Sequence, residues 1–403
     1  MDFENTARSH DYLERLEAFI ADEVVPREDE VEQARQAAPA AQPTAVEELK
    51  RKAMEAGLWN LNVRHPQYGP GLSSVEYAPL AERLGRSRLA QEATNTDAPS
   101  SINGDALIAY GSSEQRERWL LPQLAGQIRS AFAMTEPQVA SSDASNMAMV
   151  AERDGDGWRL TGRKWWISGV LHPNCAYLMT MTNTVTAGES PDGRHSRHTV
   201  FIVPRDAQGL TVVRNLPKFG YLDTDGHCEL EFDGVRVGDD DIVGDVGGGF
   251  AVGQARLGPA RVQHCMRTIG LAEQALELMC KRADSRETFG AKVSSRANVG
   301  DWIAESRMDI DACRLSVLHT AWLMDTKGDK AAAPHMSAIK VQVMRMATSV
   351  VDRAIQVYGA AGVSDDTPLA RMFAGLRGLR IADGPDEVHL MSIARRELRR
   401  QLG

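Results

Sequence analysis

Two stretches of the sequence carry side chains that could do chemistry. The first, MTEPQVASSDASN, begins at Met134 and supplies hydroxyls and backbone N–H groups directly after an apolar run. Such donors could hold a flat, anionic, heteroaromatic cofactor. The second, IADGPDEVH, begins at Ile381 and places Asp383 in a loop between two helical patterns. A carboxylate there could act as a general base, although an isolated Asp-Gly-Pro more often only caps a helix.

Helical periodicity dominates the two ends of the chain. Capping boxes are predicted at Thr44 to Glu47 and at Ser73 to Glu76, which favours helices up to about residue 124. After residue 249 long helical stripes return, and Gly328 and Gly359 stand where helix-ending glycines would. Long helices with near-heptad stripes are typical of an antiparallel four-helix bundle.

The middle of the chain has a different sequence pattern. Between about Ser130 and Val243 it consists of short β-rich runs, and the Asp-Gly-Asp-Gly sequence from Asp154 predicts a hairpin turn. The polar stretch from Asn183 to His198 predicts a surface loop. The expected fold is therefore α+β and multidomain: an N-terminal helical domain (residues 1–128), a middle antiparallel β domain (129–245) and a C-terminal helical bundle (246–403).

Composition excludes several classes of function. The chain has 403 residues, 43% of them apolar, and a net charge of −9 without a block of basic residues, so nucleic acid is not expected as a partner. The first residues lack a secretory pattern, and no apolar run is long enough to span a bilayer. We therefore expect a cytoplasmic protein without a membrane partner. The five cysteines are widely spaced and include no CxxC, which argues against a zinc site or a disulfide framework, and no metal is predicted.

Five motifs, in the same order along the chain, resemble the acyl-CoA dehydrogenase family of flavoenzymes. Besides the two stretches above, the motifs are KWWIS from Lys164, RETFG from Arg286 and QVYGAAG from Gln356. The resemblance covers essentially the whole chain. The first and last motifs, together with RLGPAR from Arg256, resemble the subgroup of vertebrate acyl-CoA dehydrogenase family members ten and eleven. The family resemblance implies the three-domain fold already expected and FAD as the cofactor.

The resemblance also implies roles for individual residues. A flavin needs polar donors and an apolar wall, and an arginine suits its pyrophosphate because a guanidinium pairs with two phosphate oxygens. In the family, the Arg and Phe of the RETFG motif reach the FAD of a neighbouring subunit. The implied cofactor-binding residues are Thr135, Ser142, Trp166, Ser168, Arg286, Thr288, Phe289, Gln356, Gly359, Gly384 and Glu387. The implied substrate-binding residues are Ser142, Arg261 and Asp383.

Asp383 is the implied catalytic residue, as the base that removes the proton alpha to a thioester. Such a base requires stabilisation of the developing enolate and partial removal from water. The family usually has Glu followed by Gly-Thr at this point, whereas this chain has Asp383, Gly384 and Pro385. The side chain is one methylene shorter, and the threonine hydroxyl is missing. Glu387 stands where many members have Gln.

Residues on the long helix after the β domain bear on the same chemistry. Some related enzymes take their base from this helix, but the matching position here is Ala260. Arg261 is expected to be a cation that positions substrate or flavin. His264 lies near one turn further on, and a lone histidine on a helix is more often part of the core than a second catalytic group.

The implied reaction is FAD-dependent dehydrogenation of an acyl-CoA to the trans-2-enoyl-CoA, with electrons passed to electron-transferring flavoprotein. An acyl-CoA oxidase or nitroalkane oxidase-like enzyme remains an alternative, since an Asp base also occurs on this fold in nitroalkane oxidase. A non-catalytic protein that binds acyl-CoA or a nucleotide is the other alternative. A homodimer or homotetramer is expected, because Leu315, Leu318 and Trp322 are offset from the apolar stripe of their helix.

Overall fold

The computed structural model describes residues 4–184 and 196–403, so most of the surface loop predicted between Asn183 and His198 lies outside the described residues. Helices come first along the chain, strands next and helices last, as the sequence predicts. By packing, the chain divides into two compact units. The first comprises Met1–Ala18, Leu72–Arg88 and Gly258–Gly403, and the second comprises Phe19–Gly71 and Leu89–Leu257. None of the helices in the described parts of the chain is long and apolar enough to cross a membrane.

The strands lie in the second unit, apart from one small hairpin in the first. The large sheet contains β1 (Arg129–Ala133), β2 (Val150–Asp154), β3 (Gly157–Ser168), β4 (Cys175–Asn183), β5 (His198–Pro204), β6 (Leu210–Asn215), β7 (His227–Gly238) and β8 (Ile242–Val243). Its order is β6-β7-β3-β2-β4-β5-β8, with β1 beside β4. The strands pair antiparallel except that β1 and the first residue of β2 run parallel to β4. The predicted hairpin turn is confirmed, because Asp154 pairs with Gly157 across β2 and β3.

The central strands are buried on both faces. In β4 and β5, Leu178 and Phe201 belong to one apolar cluster, while Tyr177 and Ile202, their neighbours along the strands, belong to another. Since successive strand residues point to opposite faces, both faces of this part of the sheet are covered. The second cluster also includes Leu107 from the helix that precedes the sheet.

The helices before the sheet are short. They are α1 (Ala7–Phe19), α2 (Glu28–Ala37), α3 (Thr44–Glu55), α4 (Ser74–Leu84), α5 (Arg88–Ala93), α6 (Ser100–Tyr110), α7 (Ser113–Gln115) and α8 (Leu121–Leu124). The capping box predicted at Ser73 and Glu76 is confirmed. The one predicted at Thr44 is wrong: α3 begins at Thr44 with Pro43 as its cap, and Glu47 pairs with Lys50 Nζ at 2.7 Å.

Three of the helices after the sheet are much longer. The helices of this part are α9 (Gly249–Ser285), α10 (Ala297–Lys327), α11 (Asp329–Tyr358), α12 (Leu369–Leu379) and α13 (Asp386–Leu402), and the long ones are α9, α10 and α11. Gly328 and Gly359 follow α10 and α11 directly, with φ of 82° and 66°, so both predicted helix ends are confirmed. A positive φ is the backbone conformation that glycine adopts without a steric penalty.

In the first unit α4 packs closely against α9. A Cβ on Gly85 would lie 2.0 Å from the Arg267 carbonyl oxygen, and one on Gly270 would lie 1.7 Å from that of Glu82. The N-terminus of α4 donates Ser74 N–H and a neighbouring N–H, each at 2.9 Å, to the carboxylate of Asp325. A carboxylate at a helix N-terminus is electrostatically favourable, so α10 fixes the start of α4.

Candidate active site

Asp383 lies in the short loop between α12 and α13, where the sequence places it. Its backbone has φ of 55°, a left-handed conformation that non-glycine residues adopt rarely and that Asp tolerates better than most. Asp386, the first residue of α13, fixes the end of this loop. Its buried carboxylate oxygen Oδ2 accepts hydrogen bonds from Arg380 Nε and Arg345 Nε, both at 3.0 Å. Burial alone would raise the pKa of Asp386, but these two guanidinium groups hold that pKa below its usual value.

Three side chains secure the backbone around Asp383. Arg261 Nε donates to the Asp383 carbonyl oxygen at 2.9 Å, and His389 Nε2 lies 3.3 Å from the same oxygen. Lys340 Nζ donates to the carbonyl oxygen of Leu379, where α12 ends. Arg261, predicted as a positioning cation, therefore holds the loop that carries the base.

The carboxylate of Asp383 faces a histidine that the sequence did not assign to the site. His264 Nε2 is 3.4 Å from Asp383 Oδ2, and the two side chains are 20% and 19% exposed. Both groups are therefore withdrawn from bulk water but still accessible. The interpretation of His264 as a core residue missed this neighbour, because the sequence does not show which loop its helix faces.

Burial and charge shape the groups around Asp383. Burial lowers the pKa of Arg261 and of Lys340, and the nearby carboxylate of Asp383 opposes the fall in both. Ala260, at the alternative position for the base, is buried at 1% exposure and has no titratable group. In the first unit, the candidate base is therefore Asp383, with Arg261 and Lys340 as nearby cations.

His389 makes this part of the chain sensitive to acid. Burial, helped by Arg261 and Lys340, lowers the pKa of His389 to about 4, while in the unfolded chain it is about 6.5. Between these values the unfolded chain binds a proton that the folded chain does not, so stability falls as the pH drops through this window. We expect the thermal unfolding midpoint to fall by a few degrees more between pH 7 and pH 5 in the wild type than in His389→Asn. The matched control is His10→Asn, at an exposed site; an identical response in all three proteins would contradict this account.

In the second unit a buried ion pair fixes the first motif. Lys164 Nζ and Glu136 Oε1 are 2.7 Å apart, and their side chains are 0% and 1% exposed. Glu136 also accepts from the N–H groups of Ala148 (2.7 Å) and Met149 (3.0 Å), and Lys164 donates to the Met134 carbonyl oxygen at 2.8 Å. Burial lowers the pKa of Lys164 to about 8 despite Glu136. The pair closes the loop that carries Thr135 and Ser142.

The KWWIS motif turns one aromatic ring outward. The pairing of β3 with β7 shifts register between Lys164 and Ile167, and Trp166 in this bulge has φ of 56° and is 40% exposed. Thr135 is half-buried, and its carbonyl oxygen accepts from Trp165 N–H at 2.9 Å, so the two motifs lie side by side. Ser168, two residues on, is half-buried.

The RETFG motif forms the small hairpin of the first unit, between β9 (Glu287–Thr288) and β10 (Ala291–Lys292). Phe289 and Gly290 at its tip have φ of 50° and 75°, the pattern of a type I′ turn. Phe289 is fully exposed, and Arg286 and Thr288 are exposed as well. The Phe289 ring is therefore placed where a ligand or another chain could cover it.

Four of the five remaining predicted cofactor residues are also on the surface. Gln356 is exposed in the last turn of α11, and a Cβ on Gly359 would meet no atom within 4 Å. Glu387 is exposed on α13 and Ser142 on its loop. A Cβ on Gly384, where φ is 97°, would come 2.9 Å from His389 Nε2, so this glycine is required by the loop itself.

These residues fit FAD by chemical type. An exposed indole, hydroxyls and an exposed guanidinium are the apolar wall, the polar donors and the phosphate partner that a flavin dinucleotide needs. The positive φ of Trp166 and Phe289 is a strained backbone conformation of the kind that clusters at ligand sites. The structure groups the predicted residues in two sets: Thr135, Ser142, Trp166 and Ser168 in the second unit, and the rest in the first.

Comparison with known proteins gives family matches along nearly the whole chain. Models of the acyl-CoA dehydrogenase N-terminal, middle and C-terminal domains match residues 6–127, 131–235 and 247–398. The chain is 47% identical to Probable acyl-CoA dehydrogenase FadE2 of Mycobacterium tuberculosis, over 100% of this chain and 98% of that protein. It is 46% identical to acyl-CoA dehydrogenase family member 10 of Mus musculus, over 96% of this chain but 37% of that protein.

Other comparisons agree. Acyl-CoA dehydrogenase family member 11 of Rattus norvegicus is 43% identical over 99% of this chain and 51% of its own length, so the chain spans only 51% and 37% of the lengths of these two vertebrate relatives. A solved structure from Mycobacterium abscessus has a TM-score of 0.93 at 45% identity, covering 99% of this chain and 100% of that one. Butyryl-CoA dehydrogenase from Megasphaera elsdenii shares the fold, with a TM-score of 0.82 at 24% identity over 99% and 100% of the two chains.

Proposed function

Because the chain belongs to the acyl-CoA dehydrogenase family and is an FAD-dependent oxidoreductase of that family, we propose that it converts a saturated acyl-CoA to the trans-2-enoyl-CoA with Asp383 as the base. The observation that carries this proposal is the way in which the Asp383 loop is held. A left-handed backbone and a carboxylate at 19% exposure are costly to maintain in a loop without a function, and the Arg261 guanidinium on the Asp383 carbonyl oxygen holds them in place.

The chain's own residues have separate tasks. Asp383 takes the proton alpha to the thioester carbonyl, and its partial burial limits competition from water. Arg261 and His389 hold the backbone of the base. Thr135, Ser142, Trp166, Ser168, Arg286 and Gln356 would hold FAD, together with Thr288, Phe289, Gly359, Gly384 and Glu387. Bound FAD supplies the acceptor for the beta hydride.

The conformation of the loop suits aspartate, the shorter side chain, at the position of the base. Asp is among the few residues enriched at positive φ, whereas a longer side chain gains nothing from that conformation. We propose that the loop compensates for the missing methylene by its backbone conformation at Asp383, fixed through Arg261, Lys340 and His389.

The experiment that tests the reaction is an anaerobic panel. The protein is purified, its flavin is identified after release, and saturated acyl-CoAs of different chain length, branching and hydroxylation are mixed with it while flavin absorbance is followed. Bleaching by at least one acyl-CoA is expected. Bleaching only by a nitroalkane would favour the nitroalkane oxidase-like alternative, and a protein without FAD after reconstitution would favour a binding protein.

The electron acceptor is tested separately. We propose electron-transferring flavoprotein as the acceptor and the cytoplasm as the location. Slow peroxide formation in air and rapid reoxidation by electron-transferring flavoprotein are expected; rapid peroxide formation with an acyl-CoA would assign the enzyme to the oxidases.

We propose further that the protein is a homodimer or homotetramer. Phe289 is fully exposed and Leu315 is 49% exposed, and a second chain would cover such surfaces. Leu318 and Trp322, offset from the same helical stripe, are partly exposed as well. Each chain of this assembly would consist of the three predicted domains, 1–128, 129–245 and 246–403.

Arg286→Ala and Phe289→Ala test this assembly. If these side chains serve the FAD of a neighbouring subunit, each variant should release FAD on dilution at a concentration roughly tenfold or more above that for the wild type, because cofactor retention is coupled to association. FAD fluorescence measures release, and light scattering measures mass. The matched control is Lys281→Ala, an exposed cation of the same unit that pairs with Glu277, and it should retain FAD as the wild type does. A monomer fully loaded with FAD would refute the proposal.

A further inference from the structure

A chain of polar side chains in the second unit leads to Ser168. Ser168 Oγ lies 2.8 Å from His227 Nδ1, and His227 Nε2 lies 2.6 Å from Asp223 Oδ2. Lys218 Nζ is 2.8 Å from the same carboxylate oxygen. The exposed fractions are 17% for His227, 18% for Asp223 and 24% for Lys218, so these hydrogen-bonded side chains are largely shielded from water.

The surrounding backbone holds this chain of groups in place. Ser168 and His227 are paired residues of β3 and β7. Asn215 Oδ1 accepts from the His227 N–H at 2.8 Å, and its amide donates to the Asp223 carbonyl oxygen at 3.2 Å. The His227 ring also lies beside Trp166, with ring centroids 6.0 Å apart. His227 thus contacts two residues that are assigned to the flavin.

The direction of each hydrogen bond follows from the chemistry of the groups. An ionised Asp223 has no proton to give, so His227 Nε2–H donates to it. In the neutral ring Nδ1 is then the acceptor, and the Ser168 hydroxyl donates its proton to it. Lys218 balances the charge of Asp223. Ser168 Oγ therefore presents lone pairs, rather than its proton, to any other group that it meets.

We propose that His227, oriented by Asp223 and Lys218, is a positioning residue that makes the Ser168 hydroxyl a hydrogen-bond acceptor towards the flavin. This inference rests on the proposed function, in which Ser168 contacts FAD. A reduced flavin carries an N–H where the oxidised ring has a bare nitrogen, so an acceptor favours the reduced form. The same order of groups also activates nucleophilic serines, but the adjacent Gly169 N–H, which could help to stabilise an oxyanion, already donates to Gly226 O at 3.2 Å.

The test measures the midpoint potential of the bound FAD against a reference dye, together with the FAD dissociation constant. His227→Phe keeps a ring beside Trp166 but releases the Ser168 proton, which can then donate to the oxidised flavin. The midpoint should become more negative, by up to roughly tenfold in the redox equilibrium constant for one hydrogen bond, or about 30 mV for two electrons. His227→Asn, whose amide oxygen can accept the same proton, should lie close to the wild type.

A double-mutant cycle shows whether His227 acts through Ser168. In a Ser168→Ala background, His227→Phe should cause no further change in midpoint. The control His65→Phe replaces a histidine of the same unit whose ring contacts Tyr68 instead. If His227→Phe fails to fold, His227→Leu and Asp223→Asn replace it, because leucine has no acceptor for the Ser168 proton and the amide introduced at position 223 can donate to Nε2, which moves the ring proton to Nδ1.

The outcomes are distinct. Three results would overturn the inference: an unchanged midpoint in both His227→Phe and Ser168→Ala, a positive shift in His227→Phe, or equal shifts from His227→Phe in the wild-type and Ser168→Ala backgrounds. In each case FAD binding and acyl-CoA bleaching would still support the proposed function. A wild-type protein that binds no flavin would overturn both.

Discussion

Asp383→Asn is expected to keep its FAD and to lose flavin reduction by acyl-CoA, with a rate lower by about 10²- to 10⁴-fold. The carboxamide keeps the shape of the side chain but cannot accept a proton. The backbone contacts of Asp383 with Arg261 and His389 involve its carbonyl oxygen and are retained. Stopped-flow absorbance under anaerobic conditions measures the rate, and the visible flavin spectrum reports on cofactor content.

Two further variants make this result specific. Asp365→Asn, an exposed site in the same unit, should bleach at the wild-type rate. Asp383→Glu keeps a carboxylate but moves it by one methylene, so a partial rate is expected. If Asp383→Asn reduces its flavin nearly as fast as the wild type, another group is the base, and His264 at 3.4 Å is the first to examine.

Lys164→Met should have the largest effect on stability, a loss of about 3–5 kcal/mol, because it leaves a buried carboxylate without its cation. Glu136 is 1% exposed and has two backbone N–H donors as its remaining partners. The loop with Thr135 and Ser142 should loosen, so FAD should also bind more weakly. Thermal and denaturant unfolding measure the first effect, and FAD fluorescence measures the second.

The neighbouring residue provides the matched control. Arg163 pairs with Glu231 at 3.0 Å, and the two side chains are 41% and 45% exposed. Arg163 also lies 3.5 Å from the buried Glu229, but Glu229 has Arg214 at 2.7 Å as a second cation. Arg163→Met should therefore cost only about 0–1 kcal/mol, as exposed ion pairs do. Equal losses for Lys164→Met and Arg163→Met would show that the buried pair does not stabilise the first motif.

Local signals in the sequence were sufficient for the order of elements and for the loop of the base. Gly328 and Gly359 predicted the ends of two long helices, and both have the positive φ that makes glycine suitable there. The Asp-Gly-Asp-Gly turn predicted one hairpin of the sheet. The capping box at Thr44 failed because the pattern alone cannot show that Glu47 turns to Lys50 instead.

The contacts of the site could not be predicted in the same way. His227 and Ser168 are 59 residues apart along the chain, and they are in contact only because β3 pairs with β7. His264 meets Asp383 only because α9 packs against a loop near the C-terminus. The role of Lys164 was hidden within a recognised motif, since burial against Glu136 is a tertiary property. Spacing on α9 offered one signal: Arg261 and His264 are three residues apart and so share a helix face.

The most direct test of the central claim is the product of a single anaerobic turnover. FAD-replete wild-type protein is mixed with a slight excess of an acyl-CoA that bleaches its flavin, and the acyl product is identified by mass and by comparison with synthetic standards. The proposal predicts trans-2-enoyl-CoA, lighter than the substrate by two hydrogen atoms and equal in amount to the flavin reduced, and none from Asp383→Asn. Reduced flavin without enoyl-CoA, or enoyl-CoA formed equally well by Asp383→Asn, would contradict it.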